Sequence, residues 1–220
     1  AIVFLLCVLL GQILAMYSEQ RKKEQEIEQL KVENLQSRCE ALANQINPHF
    51  FFNSLGGLSS LVREDDKERT LEYVNKLSAV FRYILQSDKK GLVTLDEEFD
   101  FLESYRYLLE VRYANKLSFD ISIDSKNRKL KLPVLSLLPL IENVVKHNVI
   151  DSENRMVVSV FVNEKSEVVV SNPIHKKLEE SLSNGIGLTN LKNRFILLMD
   201  SHIRIEKTEE TFRVYMPLKK

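Results

Sequence analysis

Leu137-Leu138-Pro139-Leu140-Ile141-Glu142-Asn143-Val144-Val145-Lys146-His147-Asn148 reads as a helix with two faces. Leu137, Ile141, Val144 and Val145 form an apolar stripe. Asn143, Lys146 and His147 stand at i, i+3 and i+4 on another face, with Glu142 beside them. An amide oxygen, a carboxylate and two cations suited to phosphate thus share one surface. Mg²⁺ needs few protein oxygens when phosphates or waters supply the rest, so one Asn is an adequate protein ligand. A merely solvated helix face would carry the same residue types, so the weight of the stretch depends on its neighbours. The helix is expected over Leu135 to Val149, kinked or restarted by Pro139.

Downstream the period changes to two. Met156 to Asn163 and Glu167 to Asn172 predict a strand pair, and His202 to Lys207 with Thr211 to Pro217 a final hairpin. Pro173 to Asn184 is polar and irregular. Gly185-Ile186-Gly187-Leu188 then opens a helix to about Met199. Glycines at a helix start let backbone N–H groups approach an anion, which the helix dipole also favours. Upstream, Phe119, Ile121 and Ile123 alternate with polar residues, as in a half-buried strand. Thr94-Leu95-Asp96-Glu97 has capping-box spacing and starts a helix to about Tyr113. Pro133 suits a helix first turn. Residues 91–220 therefore predict an α+β domain, a mostly antiparallel sheet with helices on one face.

Further upstream, Asn47-Pro48-His49-Phe50-Phe51-Phe52-Asn53 sets one histidine in an apolar run. A neutral imidazole is a competent nucleophile near neutral pH. Asn53, four residues on, shares its helical face and can orient the ring, though it cannot take a proton. The bland alternative is a core histidine between phenylalanines. Pro48 is expected to bend or interrupt the helix, and Gly56-Gly57 to loosen it. Arg63 to Lys67 reads as a turn. A second helix, about Glu68 to Ser87, carries Leu71, Val74, Leu77, Ser78, Phe81, Ile84 and Leu85 on one face. The two make a helical hairpin over 48–90. Two hairpins would make a four-helix bundle, and hence a homodimer.

Residues 18–47 are charged and free of Gly and Pro, with Leu35, Cys39, Leu42 and Ile46 in heptad steps, as in a parallel signalling coiled coil. Residues 1–17 are apolar except for Gln12. As a helix they would be about 26 Å long, against about 30 Å for a bilayer core. The run lacks a starting Met and is expected to be the end of a longer transmembrane helix. Arg21, Lys22 and Lys23 follow it, which puts the remainder on the cytoplasmic side of the inner membrane. Lys+Arg 31 balances Asp+Glu 31, which argues against a nucleic-acid partner. Cys7 and Cys39 form neither a disulfide framework nor a ligand cluster, and no zinc or calcium motif is visible.

Asn-Pro-His49-Phe-Phe-Phe-Asn, Glu142-Asn143-Val144-Val145-Lys146-His147 and Gly185-Ile186-Gly187-Leu188-Thr189-Asn190-Leu191 occur in that order. From about Leu42 to Leu218 the chain resembles the cytoplasmic part of the LytS-like (YehU-like) sensor histidine kinases. The resemblance implies a dimerising histidine-phosphotransfer hairpin, then a Bergerat-type α/β sandwich that binds ATP. It implies His49 as phosphoacceptor, Asn143 as Mg²⁺ ligand with Glu142 adjacent, and Lys146 and His147 toward the phosphates. It further implies Gly185 and Gly187 as the glycine box, and a response-regulator protein as receiver of the phosphoryl group. Such kinases usually carry an Asp-x-Gly-x-Gly motif whose Asp reads the adenine amino group. Here the corresponding stretch ends Ser171-Asn172-Pro173. Asn172 can still accept from that amino group but is uncharged, so weaker nucleotide binding is expected. The same departure favours a second reading, a nucleotide-weak signalling scaffold without phosphotransfer. A third, an ATP hydrolase with Glu142 as base, leaves the His49 stretch unexplained.

Overall fold

The computed structural model describes residues 16, 19–24, 48–87, 90–176 and 186–220. The chain divides into two units, Ala1–Pro48 and His49–Lys220. In the first, the described residues are helical, and Lys23 pairs with Glu19 at 2.8 Å. The expected heptad residues and nearly all of the expected membrane run lie outside the described residues. No helix among the described residues is long and apolar enough to cross a membrane.

The second unit begins with α1 (Pro48–Arg63) and α2 (Lys67–Gln86). The turn between them falls where the charged run predicted it, and Asp66 caps α2 by accepting from the Arg69 N–H at 3.0 Å. Gly56 and Gly57 do not break α1. Gly57 is there because the Tyr73 hydroxyl lies 2.7 Å from where a Cβ would stand. That hydroxyl donates to the Ser54 carbonyl at 3.1 Å and so locks α2 onto α1. The expected apolar face of α2 needs correction. Tyr73, Val80 and Ile84 are buried within the chain, while Leu71, Val74 and Leu85 point outward.

A short strand, β1 (Leu92–Thr94), leads into α3 (Leu95–Arg112). The capping box is present: Thr94 Oγ1 accepts from the Glu97 N–H, and the Glu97 carboxylate accepts from the Thr94 N–H at 3.0 Å. Next come β2 (Leu117–Ser122), β3 (Lys131–Pro133), α4 (Leu138–His147), β4 (Met156–Val162) and β5 (Glu167–Pro173). The chain closes with α5 (Ile186–Met199), β6 (Arg204–Lys207) and β7 (Thr211–Pro217). One expectation fails here: Pro133 ends a strand that pairs antiparallel with β1, rather than starting a helix. Of the two outcomes expected at Pro139, the restart is the one seen: α4 begins at Leu138, with Pro139 in the first turn, where no intrahelical donor is required.

The main sheet runs β2-β4-β5-β7-β6. β2 and β4 pair in parallel and the other neighbours antiparallel, so β2 joins through a crossover that includes α4. Alternation decides the faces. Met156, Val158, Val160, Val168, Val170, Val214 and Met216 are buried, whereas Val157 and Phe161 are exposed on the other side. The buried set joins Leu102, Leu109, Ile141, Val144, Leu191 and Phe195 of the helices in one core.

Candidate functional site

The sequence spacing of α4 survives in three dimensions. Leu140, Ile141 and Val144 are buried, Glu142 and Asn143 are half-buried, and Lys146 and His147 are exposed. The C-terminal end of α4 is tied down by Asn148, which is itself buried. Its Nδ2 donates to the Val144 carbonyl at 2.9 Å, and its Oδ1 accepts from the His175 N–H at 2.8 Å. The Val149 N–H donates in turn to the His175 carbonyl at 2.8 Å. The end of α4 and the residues just beyond β5 therefore move together.

Asn172 lies at that end of β5, buried on the same strand face as Val168 and Val170. Its Nδ2 donates to the Pro173 carbonyl at 2.6 Å. A carbonyl can only accept, so this contact fixes which way the amide faces and leaves Oδ1 as the group directed elsewhere. At the other end of α4, Gly187 lies exposed in the first turn of α5. A Cβ there would meet Pro139 Cβ at 3.7 Å, an ordinary contact, so packing does not require glycine at that place. What glycine does provide is an unshielded backbone at a helix start. Gly185 lies outside the described residues.

His49 is on α1, beside a packed neighbour. Phe50 is buried, with its ring 6.0 Å from Phe81 of α2 and 5.2 Å from Tyr105 of α3. The Tyr105 phenol is pushed far above its usual range, first by complete burial and then by the charge of Glu142. The helix carrying His49 thus packs, through Phe50, on Tyr105 of α3. Asn53, one turn further along α1, has a buried Nδ2 with no hydrogen-bond partner among the described residues. Among the described residues, no cluster of three or more His, Cys, Asp or Glu could hold a metal ion.

Residues 37–117 match the family model described as histidine kinase, a span that contains His49. Sensor protein LytS of Oceanobacillus iheyensis is 28% identical over 92% of this chain and 36% of its own length. Sensor protein LytS of Streptococcus agalactiae serotype V is 34% identical over 75% of this chain and 31% of its own. The chain is a relative of the LytS sensor histidine kinases. It spans about a third of the length of these curated relatives. Among solved structures, the Acinetobacter baumannii histidine kinase AdeS matches at 13% identity over 78% of this chain and 96% of that one. The TM-score of that match is 0.40.

The LytS-like sequence reading missed the residues that hold α4 from outside. Glu98 of α3 is fully buried. Its carboxylate accepts from the Tyr83 hydroxyl of α2 at 2.7 Å, from the Leu135 N–H at 2.6 Å and from the Leu137 N–H at 3.2 Å. Burial raises its pKa despite these donors. Leu137 is the N-cap of α4 and has no side-chain cap of its own, so Glu98 stands in for one. Arg194 of α5 donates to the Val134 carbonyl at 2.5 Å in the same loop. The signal for Glu98 is present in the sequence. Leu95, Glu98, Leu102, Tyr105 and Leu109 step by three and four, which sets an acid on the apolar stripe of α3. For Asn148 the only local signal is an Asn directly after Lys146-His147.

Proposed function

We propose that the chain is the kinase part of a membrane-tethered, homodimeric two-component sensor that phosphorylates His49 from ATP. A ring nitrogen of His49 attacks the γ-phosphorus in line. The N–P bond forms as the bond to the ADP oxygen breaks, and the proton on the other ring nitrogen leaves to solvent. The phosphoryl group then passes to an Asp of a response regulator. The observation that carries this reading is the convergence on α4. Glu142, Asn143, Lys146 and His147 lie on one helix, with the glycine helix start at one end and the Asn172 end of β5 at the other. Asn143 would hold Mg²⁺, which when bound neutralises phosphate charge. Lys146 and His147 would face the phosphates, where negative charge develops, and Gly187 leaves backbone N–H groups accessible. Asn172 Oδ1 would accept from the adenine amino group, and Asn53 would orient the His49 ring. Gly185 completes the glycine pair.

The homodimer rests on the outward stripes of α1 and α2, and the membrane tether on the apolar run of residues 1–17. The test is incorporation of γ-labelled ATP in the presence of Mg²⁺. Acid-labile, alkali-stable label is expected in the native chain and absent from His49→Gln. In Asn143→Ala it is expected to fall by at least about a hundredfold, the scale of losing one preorganised electrostatic contact. Label that survives His49→Gln would overturn the assignment. MgATP binding with no label would favour the scaffold.

A further inference from the structure

The buried carboxylate of Glu98 is not needed for the chemistry just described, yet it touches three parts of the unit. Its Oε1 accepts from the Tyr83 hydroxyl on α2 at 2.7 Å and from the Leu135 N–H at 2.6 Å, and its Oε2 accepts from the Leu137 N–H at 3.2 Å. Leu135 and Leu137 belong to the tight loop that feeds α4. Leu135 is held there at φ 55, a region leucine rarely adopts, so the loop depends on its surroundings for its shape. Other bonds fix the same loop. The Val134 N–H donates to the Gly91 carbonyl, on the connection out of α2, at 3.1 Å. Ser136 Oγ donates to the Pro133 carbonyl at 2.5 Å, and Arg194 holds the Val134 carbonyl. On the hairpin side, the Tyr83 ring stacks on Phe101 of α3 at 4.9 Å, so its hydroxyl is held in place.

We propose that Glu98 is a positioning residue, joining the helical hairpin to the start of α4 so that a shift of α2 reaches Asn143, Lys146 and His147. This rests on the kinase reading for its biological meaning, but the joint itself is a physical claim. A carboxylate is suited to it. It accepts from several donors at once, charge-assisted hydrogen bonds are the strong ones, and in a dry site a lost partner is not replaced by water. An α2 that rotates or slides withdraws the Tyr83 donor. The two backbone N–H groups must then share a differently placed carboxylate, at a loop whose backbone is already strained. α4 starts at Leu138, directly after Leu137, with no side-chain cap of its own to resist.

Tyr83→Phe is the decisive variant, because it removes one hydroxyl and keeps the stacked ring. Amide hydrogen exchange of the whole chain, followed by peptide, is compared for native, Tyr83→Phe and Glu98→Gln. Exchange in residues 133–147 is expected to quicken by about tenfold in Tyr83→Phe, the weight of one charge-assisted hydrogen bond, with β4 and β5 unchanged. Autophosphorylation at saturating ATP should fall by a similar factor while MgATP affinity stays within about twofold. Exchange of residues 133–147 equal to native would overturn the joint. Equal quickening throughout β4 and β5 would overturn it too, since Tyr83 would then only stabilise the fold. A native chain that takes no label would count against the kinase reading, and the exchange result would still decide the joint. If Glu98→Gln does not fold, Tyr83→Phe decides alone.

Discussion

At Gly57 two opposite effects meet on one residue. In a helix interior, glycine is about 1 kcal/mol less favourable than alanine, so Gly57→Ala should stabilise α1 if there were room. There is none: the added Cβ would lie 2.7 Å from the Tyr73 hydroxyl, itself buried and bonded to Ser54. Overpacking of this kind costs about 1–3 kcal/mol, so the net expectation is a loss of about 1 kcal/mol in urea unfolding. With Tyr73→Phe as background the obstructing oxygen is gone, and the same substitution should become neutral or stabilising. Glu98 gives a pH signature at the same scale. Its pKa is raised above 4.5 in the fold, chiefly by burial. Its contribution is therefore complete below the unfolded carboxylate value and is lost as pH rises through the higher folded value. Across that window Glu98→Gln should flatten the decline of stability with pH relative to the native chain. A native chain whose stability rose with pH there no more slowly than the variant's would contradict the burial argument. Tyr83 stays a donor throughout, because burial and the neighbouring Glu98 hold its phenol well above the usual range.

Helices α1 and α2 each carry an apolar stripe that stays exposed among the described residues. On α2 it is Leu71, Val74 and Leu85, spaced three and eleven apart. On α1 it includes Leu55 and Val62, seven apart. Leu71 is 66% and Val62 60% exposed, high values for aliphatic side chains beside a well-filled core. Heptad-like spacing on two antiparallel helices is what a four-helix bundle with a second copy requires. Leu71→Asp should therefore leave the melting temperature of the isolated chain nearly unchanged while weakening self-association by about a hundredfold, read by sedimentation at a series of concentrations. A native chain that sediments as a monomer at micromolar concentration would remove the basis of the dimer. The inner stripe behaves differently, because Tyr73, Val80 and Ile84 are buried within one chain.

For the molecule as a whole, nucleotide binding and stability are linked. If MgATP binds only the folded state, then at a hundred times its Kd it should add about 2.7 kcal/mol to unfolding. Asn172→Ala removes both the proposed adenine acceptor and the 2.6 Å bond to Pro173. Its effect without nucleotide measures the bond. The further loss of the MgATP-induced rise in melting temperature measures the contact with adenine. A rise that is unchanged in Asn172→Ala would place adenine recognition elsewhere. No rise in the native chain at millimolar MgATP would favour a scaffold over a kinase.

Local properties were legible in the sequence because their causes are local. The capping box at Thr94, the turn at Arg63 to Lys67, the two-faced α4 and the apolar runs of strands β4, β5 and β7 all follow from residues within one or two turns of each other. Legible too, as a plain order along the chain, was the series of His49, Glu142 to His147 and Gly185 to Leu191 on which the family resemblance rests. What only the tertiary structure decided depends on partners far apart in the chain. Pro133 enters a strand because it pairs with Leu92 of β1, 41 positions upstream. β2 runs parallel to β4 because a crossover intervenes. Gly57 is explained only by Tyr73, and the outward turn of Leu71 only by the packing of Tyr73 and Val80. The carboxylate that supports α4 comes from Glu98, 39 residues before Leu137. An acid on an apolar stripe announces that something must satisfy it, since a buried charge without partners is costly. Which donors answer is a matter of three-dimensional proximity, and periodicity does not encode it.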